Sequence, residues 1–400
     1  MSITSNDTQA RTPSPRPGPS PLRYRDAVGA VLLLEMRQRL RSRGWYVMLA
    51  VWFGVIALVT ALAGYVAGFE DGVGQVMFEL VVGFVLFFGL LVAPALSANS
   101  ITGDRSAGTL AILQNTLLTP GQLLWGKWLA AWLASLGFLV VSLPMIAWAM
   151  SYGDVYLPAV PVFVLMTAVE LGIACAIGVG VSARSSRPLF AIVASYLLVA
   201  MLGLGTLIAY GLSLQLVREE ARASEQVWPG DPWPAVEYDA NGQILDDQGQ
   251  VVEDQDAAYR ELDDLSAAAQ SDPNAFVCSS FSYDVSIFHT ERITWLLAAN
   301  PFVVVADAVP MRAPTPDTNA LMGAGPMGAI SEGVRASQAG GMDQQPCLNG
   351  EKQVLTTPEV APVWPLGLAI QSALAAGLVV AGRRRLVTPA GRLPTGTRVA

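Results

Sequence analysis

Six stretches of this chain are apolar over the length a helix needs to cross a lipid bilayer, and no other feature constrains its fold so tightly. They run from Trp45 to Ala67, Val76 to Ala98, Trp128 to Met150, Ala159 to Val181, Leu189 to Val217 and Val363 to Ala381; the first and last contain no charge. About 20 apolar residues cover the hydrocarbon core as a helix, because backbone polar groups there must bond within their own segment. Composition agrees: 52% of residues are hydrophobic, 14% are charged and the mean hydropathy is positive. We therefore expect an all-α membrane protein with six transmembrane helices.

Orientation follows from the basic residues, which are enriched in cytoplasmic loops. Arg11, Arg16, Arg23, Arg25, Arg37, Arg39, Arg41 and Arg43 precede the first span. Arg105 and Lys127 lie in the second loop, Arg184 and Arg187 in the fourth, and Arg383, Arg384, Arg385, Arg392 and Arg398 after the last span. The first loop (Glu70, Asp71) and the third (Asp154) have none. This alternation puts both termini in the cytoplasm and the fifth loop, residues 218–362, outside. That loop holds 23 acidic and 7 basic residues, whereas the rest of the chain has 9 acidic and 17 basic. An acidic extracytoplasmic domain therefore sits between helices five and six, opposite a basic cytoplasmic face, which argues against nucleic acid as a partner of the exposed part.

The expected organisation is a Pro- and Ser-rich disordered cytoplasmic tail at 1–22, an interfacial helix at 23–44, transmembrane helices one to five across 45–217 with a cytoplasmic loop at 99–127, the 218–362 domain, helix six at 363–382 and a basic tail at 383–400. No secretory signal precedes the first span. Within 218–362, EDQDAAYRELDDLSAAA (253–269) reads as a solvated helix. ITWLLAANPFVVVADAVP (293–310) is apolar but broken by Asn300, Pro301 and Asp307, and reads as a helix or re-entrant piece packed at the outer surface. A seventh span there would put Arg383 to Arg385 outside. Residues 311–362, rich in Gly, Pro and Ala, read as irregular. Cys278 and Cys347 share this loop, where the compartment permits a disulfide; Cys175 lies in the fourth span as a small packing residue.

Catalytic machinery is sparse. His289 is the only histidine, so neither an HExxH site nor a paired-histidine metal centre can be built, and no GxSxG accompanies it. No metal site is expected. Glu170 is the one acid near the middle of a span, where an ionisable group is costly. It is either a polar or proton site on a translocation pathway, or a glutamate kept neutral or hydrogen-bonded to a neighbouring helix. GQLLWGKW (121–128) fills three of the four fixed positions of GxxxxGK[ST], but Trp128 supplies no oxygen for magnesium and no strand precedes it. Gly126 and Lys127 read instead as the entry to the third span, with Lys127 near the headgroups.

The loop SITGDRSAGTLAILQNTLLTPGQLLWGKW (100–128) resembles the corresponding loop of ABC-2-type permeases, the membrane-spanning subunits of ATP-binding-cassette exporters, whose pattern is close to E[RK]xxGTLExLLxTPLxxxxIxxGK. Asp104, Arg105, Gly108, Thr109, Leu110, Leu113, Thr119, Pro120, Gly126 and Lys127 match it, with Asp104 for the usual glutamate and Ala111 where a second glutamate is common. LEMRQRLRSRG resembles the family's connecting helix, and GVGVSARSSRP (178–188) its loop after span four. The physical reading is a helix over 104–118, with Leu110, Ile112, Leu113 and Leu117 as apolar contacts for a partner groove or for the chain's own basic helix, ended by Thr119-Pro120. Gly172, Gly178 and Gly180 suit close span-to-span packing.

The resemblance implies a plasma-membrane, multi-pass permease without ATPase activity or cofactor of its own. ATP and Mg would be bound by a separate cytoplasmic ABC ATPase docked on this coupling loop, and a second permease chain, identical or not, would complete the transporter. A membrane-anchored receptor or scaffold whose acidic domain binds a partner is the alternative expectation.

Overall fold

A computed structural model describes residues 23–67, 74–108, 118–153, 155–228, 230, 236–240, 242–246, 248–269, 276–310, 325–340, 345–353 and 360–386. The chain begins with α1 (Tyr24–Arg41), α2 (Arg43–Ala67), α3 (Gly74–Ser97), the short α4 (Thr102–Ser106), α5 (Pro120–Met150), α6 (Ala159–Arg184) and α7 (Pro188–Leu216). Then come β1 (Arg218–Val227), α8 (Gln255–Ala269), β2 (Val277–Phe288), α9 (Trp295–Ala298), α10 (Pro301–Ala308), α11 (Pro326–Gln338), β3 (Cys347–Leu348), β4 (Glu351–Lys352) and α12 (Trp364–Leu386). Among the described residues, α2, α3, α5, α6, α7 and α12 are the six helices long and apolar enough to cross a membrane.

Their bundle is apolar on its outer face as well as within. Leu58, Leu62, Leu197, Leu204 and Leu212 are exposed, whereas Ile56, Phe78, Leu86, Phe138 and Phe163 are buried. An outer face of this kind suits a hydrocarbon solvent. Small residues set the helix contacts: a Cβ on Gly178 would fall 2.0 Å from Ser97 Oγ, and one on Gly180 2.8 Å from Leu378 Cβ. A Cβ on Gly172 would fall 3.1 Å from Trp132 Nε1. The three glycines singled out by sequence thus all lie at interhelical contacts.

α7 contains a π-helical turn, Met201–Gly205, of the kind that releases a backbone carbonyl from the regular ladder. Asn300 occupies this place: its Nδ2 donates to Gly203 O (2.8 Å) and Thr206 Oγ1 (2.9 Å), while its Oδ1 accepts from Phe302 N and caps α10. The apolar 293–310 segment accordingly folds back as two short helices, with Val303, Val304 and Val305 buried. At eight residues, α10 is too short to span a bilayer.

The all-α expectation is corrected by a four-stranded antiparallel sheet of order β2-β1-β3-β4. In β2, VCSSFSYDVSIF, Val277, Phe281, Tyr283, Val285 and Ile287 recur on one side of the pleat, the period of a strand. β1 pairs along it from Arg218↔Phe288 to Val227↔Val277, with an irregularity between Ser224 and Gln226. Cys278 and Cys347 are disulfide-bonded, Cα–Cα 5.5 Å, tying β2 to β3 across β1. Residues 311–362 are not uniformly irregular either, since they contain α11, β3 and β4. Helix 253–269 is present as α8.

This segment is anchored to the span-length helices by named contacts. Glu79 of α3 accepts from Gly328 N at the start of α11 (2.8 Å). Asp307 accepts from Val363 N (2.6 Å) and Trp364 N (3.1 Å) at the start of α12, and from Arg335 Nε (3.2 Å). One carboxylate thereby caps a span-length helix and holds α11 beside it.

Candidate coupling site

The site starts from a close crossing of α1 and α5. A Cβ on Gly126 would lie 2.6 Å from Val31 Cβ and 3.2 Å from Val28 O, so only glycine lets the helices approach this far. The next residue, Lys127, is consequently driven against α1. Its ammonium lies 2.5 Å from Glu35 Oε1 and 2.7 Å from Asp104 Oδ2, with the lysine side chain 3% exposed. Lys127 is thus held by side chains of this chain itself. The helix starts at Pro120, two turns earlier, and the lysine sits inside the protein between two carboxylates.

Thr119 and Pro120 start α5. Thr119 Oγ1 accepts from Gln122 N and Gln122 Oε1 accepts from Thr119 N, a reciprocal cap with proline at the first helical position. Upstream, α4 ends at Ser106 and Gly108 adopts φ +77°, a left-handed conformation that suits glycine. The expected continuous helix over 104–118 is thus interrupted at Gly108. Thr109, Leu110 and Leu113, with Ile112 and Leu117, lie outside the described residues.

Asp104 and Arg105 both bond to this chain's own groups. Asp104 reaches Lys127, and Arg105 donates to Ser185 O and to Ala183 O at the end of α6. Ser182 Oγ accepts from the backbone N–H groups of Ile101 (3.0 Å) and Thr102 (3.1 Å), and Arg385 of α12 donates to Arg184 O. On α1, Arg39 Nη2 donates to Leu96 O (3.0 Å) at the end of α3. Burial pulls the Arg39 guanidinium down from its ordinary value, opposed by the Glu35 carboxylate; an arginine nonetheless stays charged. Beneath these polar contacts, Val31, Ile101, Leu123, Leu124, Val179 and Leu386 form one apolar layer. The ends of α1, α3, α5, α6 and α12 thus meet in one region, to which α4 is tied through Asp104 and Arg105.

Glu35 was not among the residues singled out by sequence. Its signal is that it is the sole acid between Ala27 and Phe69, set in a basic helix that meets the third span. Glu170 lies elsewhere, 2% exposed on α6 beside Gln371 of α12, whose Nε2 donates to Ala299 O (3.0 Å). His289 bridges Glu219 and Glu291, each at 3.0 Å, and links β1 to the turn after β2. No cluster of three metal-ligating side chains occurs among the described residues.

The arrangement joins α1, α4 and α5 through one buried charge cluster. Comparison with models of known protein families matches none of them, and comparison with curated proteins finds no significant match.

Proposed function

We propose that this chain is the permease subunit of an ATP-driven, ABC-2-type exporter in the plasma membrane, coupled through residues 100–128 to a separate cytoplasmic ATPase and paired with a second permease chain. ATP hydrolysis belongs to the partner. The observation that carries the proposal is the Glu35–Lys127–Asp104 cluster, which joins the basic amphiphilic helix, the loop between spans two and three, and span three itself. A partner that pushes on the loop moves Asp104. Through Lys127 the push reaches α5, and through Arg105 it reaches the end of α6. The Lys127 ammonium engages Asp104, and backbone carbonyls of the α6 end engage Arg105; in this reading the two residues relay the movement, and the leucine-bearing sequence after Gly108 receives the partner.

The topology supports the same reading. Basic residues flank the spans on the side of this loop, and the Cys278–Cys347 bridge belongs with an oxidising compartment on the other side. The acidic 218–362 segment is then extracytoplasmic and both termini are cytoplasmic. The test uses Leu113→Asp, which places a charge on the docking stretch, beside Asp104→Lys and Arg105→Glu in the relay. Leu113→Asp is expected to abolish binding of the ATPase, and the two relay changes to leave it bound but uncoupled from substrate. A partner ATPase whose binding and coupling survive all three changes would remove the assignment.

A further inference from the structure

Between α5, α6 and α12 lies an open groove of about 700 Å³. It exists because α5 and α12 each pack on α6 at different places. α12 does so through Gly382, where a Cβ would fall 2.6 Å from Ala183 Cβ, and α5 through Trp128 and Trp132, whose Nε1 atoms donate to Gly172 O and Ala168 O, both at 2.8 Å. With their N–H groups engaged, the indoles offer the groove only ring surface. Trp128 and Trp132 stack at 5.4 Å, and Trp125 meets Trp128 edge-on at 5.0 Å. Ile173, Ala376 and Val380 continue the apolar wall.

Among the described lining residues, charge is confined to one end. Arg383 and Tyr24 line the mouth, and a Cβ on Gly121 would lie 3.4 Å from Tyr24 Oη and 3.8 Å from Arg383 Nε. Arg383 is exposed. From Arg383 to Ser372, the far lining residue of α12, is about 16 Å at a helical rise of 1.5 Å per residue. That matches one leaflet of a hydrocarbon core about 30 Å thick.

The geometry points to a binding site for one anionic phospholipid of the bilayer, with an acyl chain along the Trp125–Trp128–Trp132 wall and its phosphate at Arg383 and Tyr24. Length fixes the occupant as a leaflet-spanning chain, and the single cationic end fixes the sign of its head. The site shares Leu124 and Val179 with the apolar layer beneath the Glu35–Lys127–Asp104 cluster but does not depend on the coupling proposal, only on the six apolar helices lying in a bilayer.

The test reconstitutes the full chain in phosphatidylcholine vesicles and measures tryptophan quenching by phosphatidylglycerol brominated on its acyl chains, against phosphatidylcholine brominated in the same way. Phosphatidylglycerol is expected to quench with about a fivefold lower half-saturating mole fraction, the scale of one basic side chain at an anionic surface. Arg383→Gln, which removes the charge, and Ala376→Phe, which fills the groove from its apolar side, should each erase that difference with unchanged thermal unfolding. Equal quenching by the two lipids, or a preference that survives both changes, overturns the site. So does shielding of the indoles from both lipids, as when a second copy of the chain covers the groove. Displacement by millimolar glycerol 3-phosphate would mark a soluble anion as the ligand and overturn the lipid assignment.

Discussion

Replacing Lys127 with methionine removes the positive charge while nearly preserving side-chain length, and so isolates what holds α4 to α5. The ammonium is 3% exposed and lies 2.5 and 2.7 Å from carboxylates that are themselves 19% and 28% exposed. At an effective dielectric of 20, each contact is worth about 6 kcal/mol of attraction, and burial of the ammonium offsets most of it. The measurable quantity is the cost of breaking the set. Removing one partner of a buried pair costs about 3–5 kcal/mol, since the remaining charge is left uncompensated. Here Glu35 and Asp104 can recover part of their hydration, so Lys127→Met should fall near the lower end, about 3 kcal/mol. Equilibrium unfolding of the full chain in mild detergent measures this. Adding Glu35→Gln and Asp104→Asn in the methionine background should return most of the loss, because a neutral, well-packed set replaces a broken ionic one. A loss below about 1 kcal/mol, the range of an exposed pair, or no recovery in the triple variant would refute the claim that the cluster is a buried electrostatic joint.

Three further outcomes follow from other contacts. Asp307→Ala should cost about 2–4 kcal/mol by leaving the N–H groups of Val363 and Trp364 without their acceptor and freeing Arg335; Asp307→Asn should recover part of this in the same unfolding assay. Gly126→Val should cost about 1–3 kcal/mol by overpacking against Val31 and the backbone of α1, with faster amide hydrogen exchange across residues 24–41 and little change in α3. Replacing Cys278 and Cys347 by alanine opens a loop with a sequence separation of 69, which destabilises the sheet by at most about 4 kcal/mol; earlier proteolysis within 218–353, with the span-length helices intact, is the expected readout.

The span-length helices were legible because their signal is local: a run of apolar residues of the right length needs no knowledge of its neighbours. Close packing at Gly172, Gly178 and Gly180 was legible for a similar reason, since small residues in a span have few other uses. The sheet was not. β1, REEARASEQV, carries no apolar alternation, so it is a strand only by virtue of pairing with β2, and the serines of VCSSFSYDVSIF dilute the period there. α11, PMGAISEGVRASQ, was hidden by glycine and alanine, its helix being stabilised by the contact of Gly328 with Glu79 across the fold. Lys127 is the most instructive case. Hydropathy alone sends a lysine at the edge of a span to the interface; its burial depends on Glu35, 92 residues away in sequence, and on a glycine that lets α1 come close. Such a site is written in three separate places and becomes visible only when the fold joins them.

The central claim, that this chain is moved by an ATPase it does not itself contain, is tested most directly by affinity purification of the full chain from its native membrane in mild detergent, with the accompanying proteins identified and ATP hydrolysis measured. The account predicts a stoichiometric cytosolic subunit with a P-loop, whose ATPase activity is retained through the purification and whose association is lost with Leu113→Asp. Recovery of the intact chain with no ATP-hydrolysing partner, or with one whose association is indifferent to that change, would contradict it.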